Sequence, residues 1–173
     1  ETIPNADKLI NKIFYSDLGD SITQVGALVT QAHQIKAPLD EAVTAALELT
    51  KVFTDQSPEQ TLNTLNQLVV NKLEPNFTQA GDDLVTAFQN GANRGGDLLT
   101  TLNLNATAIH DLGLTGPQAL SLITSGLDAG FTSADAVLKT LEKIKVNVQG
   151  AAGGSNAVAD TLRMLHIANP ADT

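Results

Sequence analysis

The sequence contains no cysteine and no tryptophan, and aromatic residues make up only 3% of its 173 residues. Without cysteine, the chain can form neither a disulfide framework nor a zinc site with thiolate ligands. No stretch approaches the roughly 18 consecutive apolar residues that a membrane-spanning helix needs. Hydrophobic residues still make up 42% of the chain, so we expect a core built from Leu, Val, Ile and Ala.

Positive charge is also scarce. The chain has 10 Lys and Arg against 19 Asp and Glu, which gives a net charge of −9. Because affinity for a phosphate backbone comes from Lys and Arg, we expect no direct binding of this segment to nucleic acid. From the lack of a long apolar stretch we expect no membrane for this segment. The sequence begins at Glu1 without an initiator Met or a signal sequence, which suggests a fragment of a longer protein.

Helix signals are frequent along the chain, whereas the alternating pattern of a strand is absent. Ser57 and Gln60 form a capping box with Pro58 in the first turn, and Pro75 ends the helix that follows. Thr78 is predicted to cap the next helix. These patterns predict an all-α chain of stacked antiparallel helix pairs with no sheet.

Two helical hairpins, residues 81–102 and 120–141, match each other at an offset of 39 residues. A period of this size with one glycine turn in each unit is typical of stacked helix pairs. The identical residues in the two hairpins are Gly91 and Gly130, Leu99 and Leu138, Thr101 and Thr140, and Leu102 and Leu141. The predicted structural turns are at Gly91, Gly95, Gly96, Gly113 and Gly130.

We predict one compact domain in three parts. Residues 1–75 form an N-terminal helical part, residues 76–149 form the two hairpins, and residues 150–173 form a Gly-rich break with a short C-terminal helix. At the end of the first hairpin we predict helix over residues 98–102, and after the hairpin we predict a separate short segment over residues 106–112.

The polar residues do not suggest catalysis. His33, His110 and His166 lie in separate segments without a second ligand at helical spacing, which argues against a metal site. The adjacent carboxylates of Asp82 and Asp83 should point to different faces of a helix, which excludes an acid–base pair. Residues 91–97 are Gly-rich but lack the Lys-Ser/Thr of a P-loop. We expect no enzyme and no cofactor.

Two segments, residues 88–102 and residues 112–130, resemble the tail tape measure proteins of long-tailed bacteriophages and prophages. The first reads FQNGANRGGDLLTTL and the second LGLTGPQALSLITSGLDAG, in the order and spacing of that family. The resemblance is most specific over residues 77–145. The chain departs from the family at Leu104-Asn105, where the family has Glu-Tyr, and at Arg94, where Lys is frequent.

The resemblance implies a structural segment of a long, largely helical protein in the lumen of the virion tail. Such a protein is made in the host cytoplasm, assembles with tail tube subunits, tail assembly chaperones and other copies of itself, and sets the tail length. It then leaves ahead of the DNA at genome ejection. The residue pattern alone also fits a helical-repeat protein–protein interaction module of bacterial origin, and this alternative stays open.

Overall fold

The computed structural model describes residue 3, residues 5–15 and residues 22–152. Within these residues every regular element is an α-helix, which confirms the all-α prediction. The helices are α1 (Ala6–Tyr15), α2 (Ile22–Gln34), α3 (Leu39–Val52), α4 (Pro58–Val70), α5 (Phe77–Gln89), α6 (Leu98–Asp111), α7 (Gly116–Asp128) and α8 (Ala134–Ala152).

The predicted capping box begins α4. The Gln60 N–H donates to Ser57 Oγ at 3.3 Å, and the Ser57 N–H donates to Gln60 Oε1 at 3.0 Å. Thr115 and Gln118 form the same reciprocal pair at the start of α7. Both boxes satisfy N–H groups that have no partner within the helix, so α4 and α7 begin where the sequence places a Ser or Thr.

The prediction that Thr78 caps α5 is wrong. Asn76 is the cap, because its side chain accepts the Gln79 N–H at 2.8 Å. Asn76 has the extended backbone of a capping residue, with φ −160° and ψ 173°. Thr78 already lies inside the helix.

Two helices are longer than predicted. α6 is continuous from Leu98 to Asp111, and Asn105 continues it while its side-chain amide donates to Thr101 O at 2.8 Å. α8 runs through Gly150 to Ala152, although we predicted that the Gly-rich break begins at residue 150. The rest of the predicted break and the C-terminal helix, residues 153–173, lie outside the described residues.

Helices α3 to α8 form two layers of parallel helices. In the first layer, Glu41 of α3 contacts Thr78 of α5. In the second layer, Thr64 of α4 donates to Leu99 O of α6, and further along both helices Thr107 of α6 donates to Asn71 just after α4. Because consecutive helices are joined by short connections, they run in opposite directions. The result is a stack of three helix pairs, α3–α4, α5–α6 and α7–α8.

The structure reveals a third repeat unit that the comparison of the two hairpins missed. The first helices of the three pairs begin at Leu39, Phe77 and Gly116, which are 38 and 39 residues apart. A Leu-x-Thr-Leu motif recurs in the second helices, at residues 62–65, 99–102 and 138–141. The repeat therefore extends back to α3. At the N-terminal end of the stack, α1 packs on α2, and α2 contacts α3 and α4.

The three pairs are not identical. α3 packs closely on α4, and α7 packs closely on α8, whereas the closest neighbours of α5 and α6 are α3 and α4. The connection of the middle pair, residues 90–97, is also longer than the connection of the last pair, residues 129–133. The middle pair is therefore held mainly by the pair before it.

The core is aliphatic, as its composition predicts. Its largest fully buried side chains come mostly from leucine and isoleucine, and Phe53 packs edge-to-face on Phe88 with ring centroids 4.9 Å apart. Burial of such side chains is worth about 1.5–3 kcal/mol each, so the stack is stabilised mainly by helix packing.

Candidate functional site

The described residues contain no group of three or more His, Asp or Glu side chains placed to hold a metal ion. His33 and His110 lie in the last turns of α2 and α6, and His166 lies outside the described residues. In the same described part of the chain, no helix is both long and apolar enough to cross a membrane. The candidate functional residues among the described residues are therefore the polar side chains at the helix starts.

The predicted turn glycines adopt two kinds of conformation. Four have a positive φ that side chains resist, namely Gly91 at +84°, Gly96 at +72°, Gly113 at +76° and Gly130 at +103°. Gly95 is needed instead for a close approach, because a Cβ atom there would lie 2.8 Å from Ser133 Cα and 2.9 Å from Thr132 O. Gly95 thus lets the connection after α5 touch the connection after α7.

Asp97 ties these two connections together. Its carboxylate accepts the Ala134 N–H and the Asp135 N–H, both at 3.0 Å, and the Thr101 hydroxyl at 3.0 Å. Burial opposes ionisation, but the hydrogen bonds from Asp135 and Ala134 outweigh it and hold the pKa of Asp97 below its ordinary value. Asp97 therefore precedes α6 and also caps α8, a role that sequence analysis missed.

The Gly-rich segment 91–97 is thus a joint between helix pairs. Arg94, the only cation in it, forms an ion pair with Asp128 and donates to Gly91 O at 3.1 Å. The segment supplies a carboxylate that accepts backbone N–H groups of a neighbouring helix. A phosphate-binding loop does the reverse, because it supplies N–H groups to an anion. A similar contact occurs at α5, where Glu41 Oε1 accepts the Thr78 N–H at 3.0 Å.

Glu74 is the most unusual acidic residue. It lies in the connection between α4 and α5, is only 4% exposed, and its Oε1 atom has no hydrogen-bond partner. Burial, the charge of Asp83 and a hydrogen bond with Asp83 raise the pKa of Glu74 to about 7. The two carboxyl groups line a cleft of about 650 Å³ together with Lys72 and Gln79.

The pair Asp82-Asp83 separates as predicted. Asp83 lines the cleft beside Glu74, whereas Asp82 lines a groove on the other side of α5. No sequence pattern predicts that Glu74 and Asp83 lie close together, because the connection that holds Glu74 and the helix that holds Asp83 meet only in the folded chain. The sole local signal is an acidic residue next to Pro75.

The groove that Asp82 lines runs between α3 and α5 and has a volume of about 430 Å³. Three more carboxylates line it, from Asp40, Glu41 and Glu48, and Lys12 pairs with Asp40 at 2.8 Å. Its floor includes Ala45, Leu49, Gly81 and Val85. An acidic rim over an apolar floor is suited to a polypeptide segment that carries basic side chains.

No protein-family model, curated protein or solved structure matches the chain.

Proposed function

We propose that this chain is a structural segment of the tail tape measure protein of a long-tailed bacteriophage or prophage. In this role it contributes to tail assembly and to tail-length determination, lies in the lumen of the virion tail, and is released at genome ejection. Its partners are tail tube subunits, tail assembly chaperones and other copies of itself. The resemblance over residues 77–145 supports this proposal, and those residues span α5, α6, α7 and most of α8.

We further propose that the segment is a compact docking domain and not part of the extended measuring rod. The observation that carries this step is the parallel stacking of equivalent helices 38 and 39 residues apart. A stacked layer advances by about 8–10 Å, the usual distance between helix axes. The same 39 residues in one extended helix would span about 58 Å, at about 1.5 Å per residue.

An in-frame deletion of residues 77–115 in the phage tests both statements. The deletion removes one repeat unit and joins Asn76 to Gly116, so Asn76 takes the capping position of Thr115 in front of α7. If the domain is compact, tails keep their length to within about 10 Å. Shortening by about 58 Å would place the segment in the measuring rod.

A deletion of residues 77–96 is the matched control. It removes α5 and the turn after it, and therefore leaves α6 without its pair. A docking domain should then fail to fold, and tails should be missing or uninfectious. A measuring rod should tolerate this deletion and shorten by about 30 Å. Normal tails and full infectivity with both deletions would contradict the tape measure assignment.

The alternative is a helical-repeat interaction module of bacterial origin. The acidic groove between α3 and α5 favours it, because such a groove provides a binding surface in any cellular setting. The double substitution Glu48→Lys and Asp82→Lys should weaken a stoichiometric complex with a bacterial partner that binds there, as measured by calorimetry. The genes beside the parent reading frame separate the two proposals, since tail tube and tail chaperone genes accompany a tape measure protein.

A further inference from the structure

The carboxyl group of Glu74 lies against the first turn of α7. The Gly116 N–H donates to Leu73 O at 2.8 Å, which fixes this turn on the connection between α4 and α5. A Cβ atom on Gly116 would lie 1.9 Å from Glu74 Oε1, a distance that real Cβ atoms do not show. The carboxyl oxygen therefore lies directly against the α-carbon of a glycine.

The surroundings offer no cap for a carboxylate at this place. In the first turn of α7, the Gly116 N–H is bonded to Leu73 O, Pro117 has no N–H, and the Gln118 N–H donates to Thr115. From α5, the charged group that faces Glu74 is Asp83, which has the same sign, and Lys72 lines the cleft from the connection after α4. The neutral acid can donate a hydrogen bond to the Asp83 carboxylate, whereas the ionised form is repelled by it.

We propose that Glu74 is a protonation-controlled latch that closes the joint between α5 and α7 when its carboxyl group is neutral and loosens this joint when it ionises. In the closed state, the protonated carboxyl donates to Asp83 and leaves its other oxygen against Gly116. In the open state, the unpaired charge favours exposure to water, and the Gly116 to Leu73 hydrogen bond breaks. The proposal concerns the folded chain and does not depend on the phage assignment.

The direction of the pH effect follows from the raised pKa. The folded-state pKa of about 7 lies above the ordinary value of 4.5, so the unfolded chain releases this proton first. The stabilising effect of the neutral form is complete below pH 4.5 and is lost as the pH rises through about 7. Between pH 5 and pH 8 these two values change the folding equilibrium constant by about 50- to 100-fold.

The test compares the wild-type chain with Glu74→Gln, whose amide can donate to Asp83 without ionising. Urea denaturation from pH 5 to pH 8 should show the folding constant of the variant rising by about 50- to 100-fold relative to wild type. Glu48→Gln, the same change at an exposed position of α3, is the matched control for the loss of a carboxyl group. If the ratio of the folding constants of Glu74→Gln and wild type does not change with pH, the latch proposal is wrong.

Hydrogen exchange locates the effect. After correction for the intrinsic pH dependence of exchange, protection of the Gly116 amide should fall by at least about tenfold from pH 6 to pH 8 in wild type. In Glu74→Gln it should stay constant. Equal protection in both proteins, or a loss spread evenly over α3 and α4 as well, would show that no local joint opens at α7.

Discussion

The Asp97 carboxylate should be the strongest single polar contact in the stack, and its replacement tests the account of the joint. Asp97→Ala removes the acceptor of two backbone N–H groups of α8 and of the Thr101 hydroxyl. Loss of a helix cap costs about 1 kcal/mol, and hydrogen bonds to a charged group contribute about 1.5–3 kcal/mol. Ser133 still accepts the Ala136 N–H at 3.1 Å, so part of the cap survives.

We therefore expect Asp97→Ala to lower the free energy of unfolding by about 2–3 kcal/mol at pH 7. For a domain of this size, that corresponds to a Tm lower by about 4–12 °C. Because the folded-state pKa of Asp97 lies below its ordinary value of 3.8, the wild-type advantage is complete above that value. It disappears as the pH falls through the folded-state pKa.

Urea denaturation followed by circular dichroism, at pH 7 and at steps below pH 4, measures both effects. The control is Asp128→Ala, which removes a carboxylate whose side chain is 63% exposed and paired with Arg94 on the surface. An exposed ion pair is worth at most about 1 kcal/mol. The reasoning fails if Asp97→Ala is no more damaging than the control, or if its effect is unchanged in acid.

Three further predictions concern glycines and use the same denaturation assay. Gly130→Val should destabilise the chain by about 1–2 kcal/mol, because a β-branched residue resists the φ of +103°. Gly26→Ala, inside α2 where a Cβ atom meets nothing within 4 Å, should stabilise it by about 0.5–1 kcal/mol. Gly126→Ala should cost about 1–3 kcal/mol, because its Cβ atom would lie 2.5 Å from Val137 Cγ2. Adding Val137→Ala should recover part of that loss, and purely additive effects would contradict the close contact.

The sequence predicts those parts of the fold that depend on neighbouring residues. The starts of α4 and α7 are encoded by capping boxes at Ser57 and Thr115, which need only a residue three positions away. The cap of α5 was misplaced because Asn76 and Thr78 are both capping residues, and the local pattern does not separate them. The predicted end of α6 was wrong because packing on α4 carries this helix past weak helix formers. Packing does not explain the length of α8, because Val146 and Val148 are exposed.

The candidate sites depend on contacts between distant parts of the chain. Asp97 meets Ala134 and Asp135 across 37 and 38 residues, and Glu74 meets Gly116 across 42 residues. The repeat period predicts which helices are neighbours, but it does not predict which acidic side chain reaches which helix start. The third repeat unit was missed because its turn lacks the glycine that marked the other two.

The acidic residues at the joints also explain how the stack responds to pH. In a repeat protein, stability is a sum of unit and interface terms, so each joint contributes separately. Asp97 strengthens the joint at α8 when ionised, because it accepts two N–H groups at the positive end of a helix. Glu74 lies beside the start of α7 but has no N–H to accept there, so its ionisation weakens that joint. Acid should therefore open the stack at α8 first, and rising pH should open it at α7 first. The two joints are held together best at about pH 4 to pH 5, above the ordinary pKa of Asp97 and before much of the Glu74 contribution is lost.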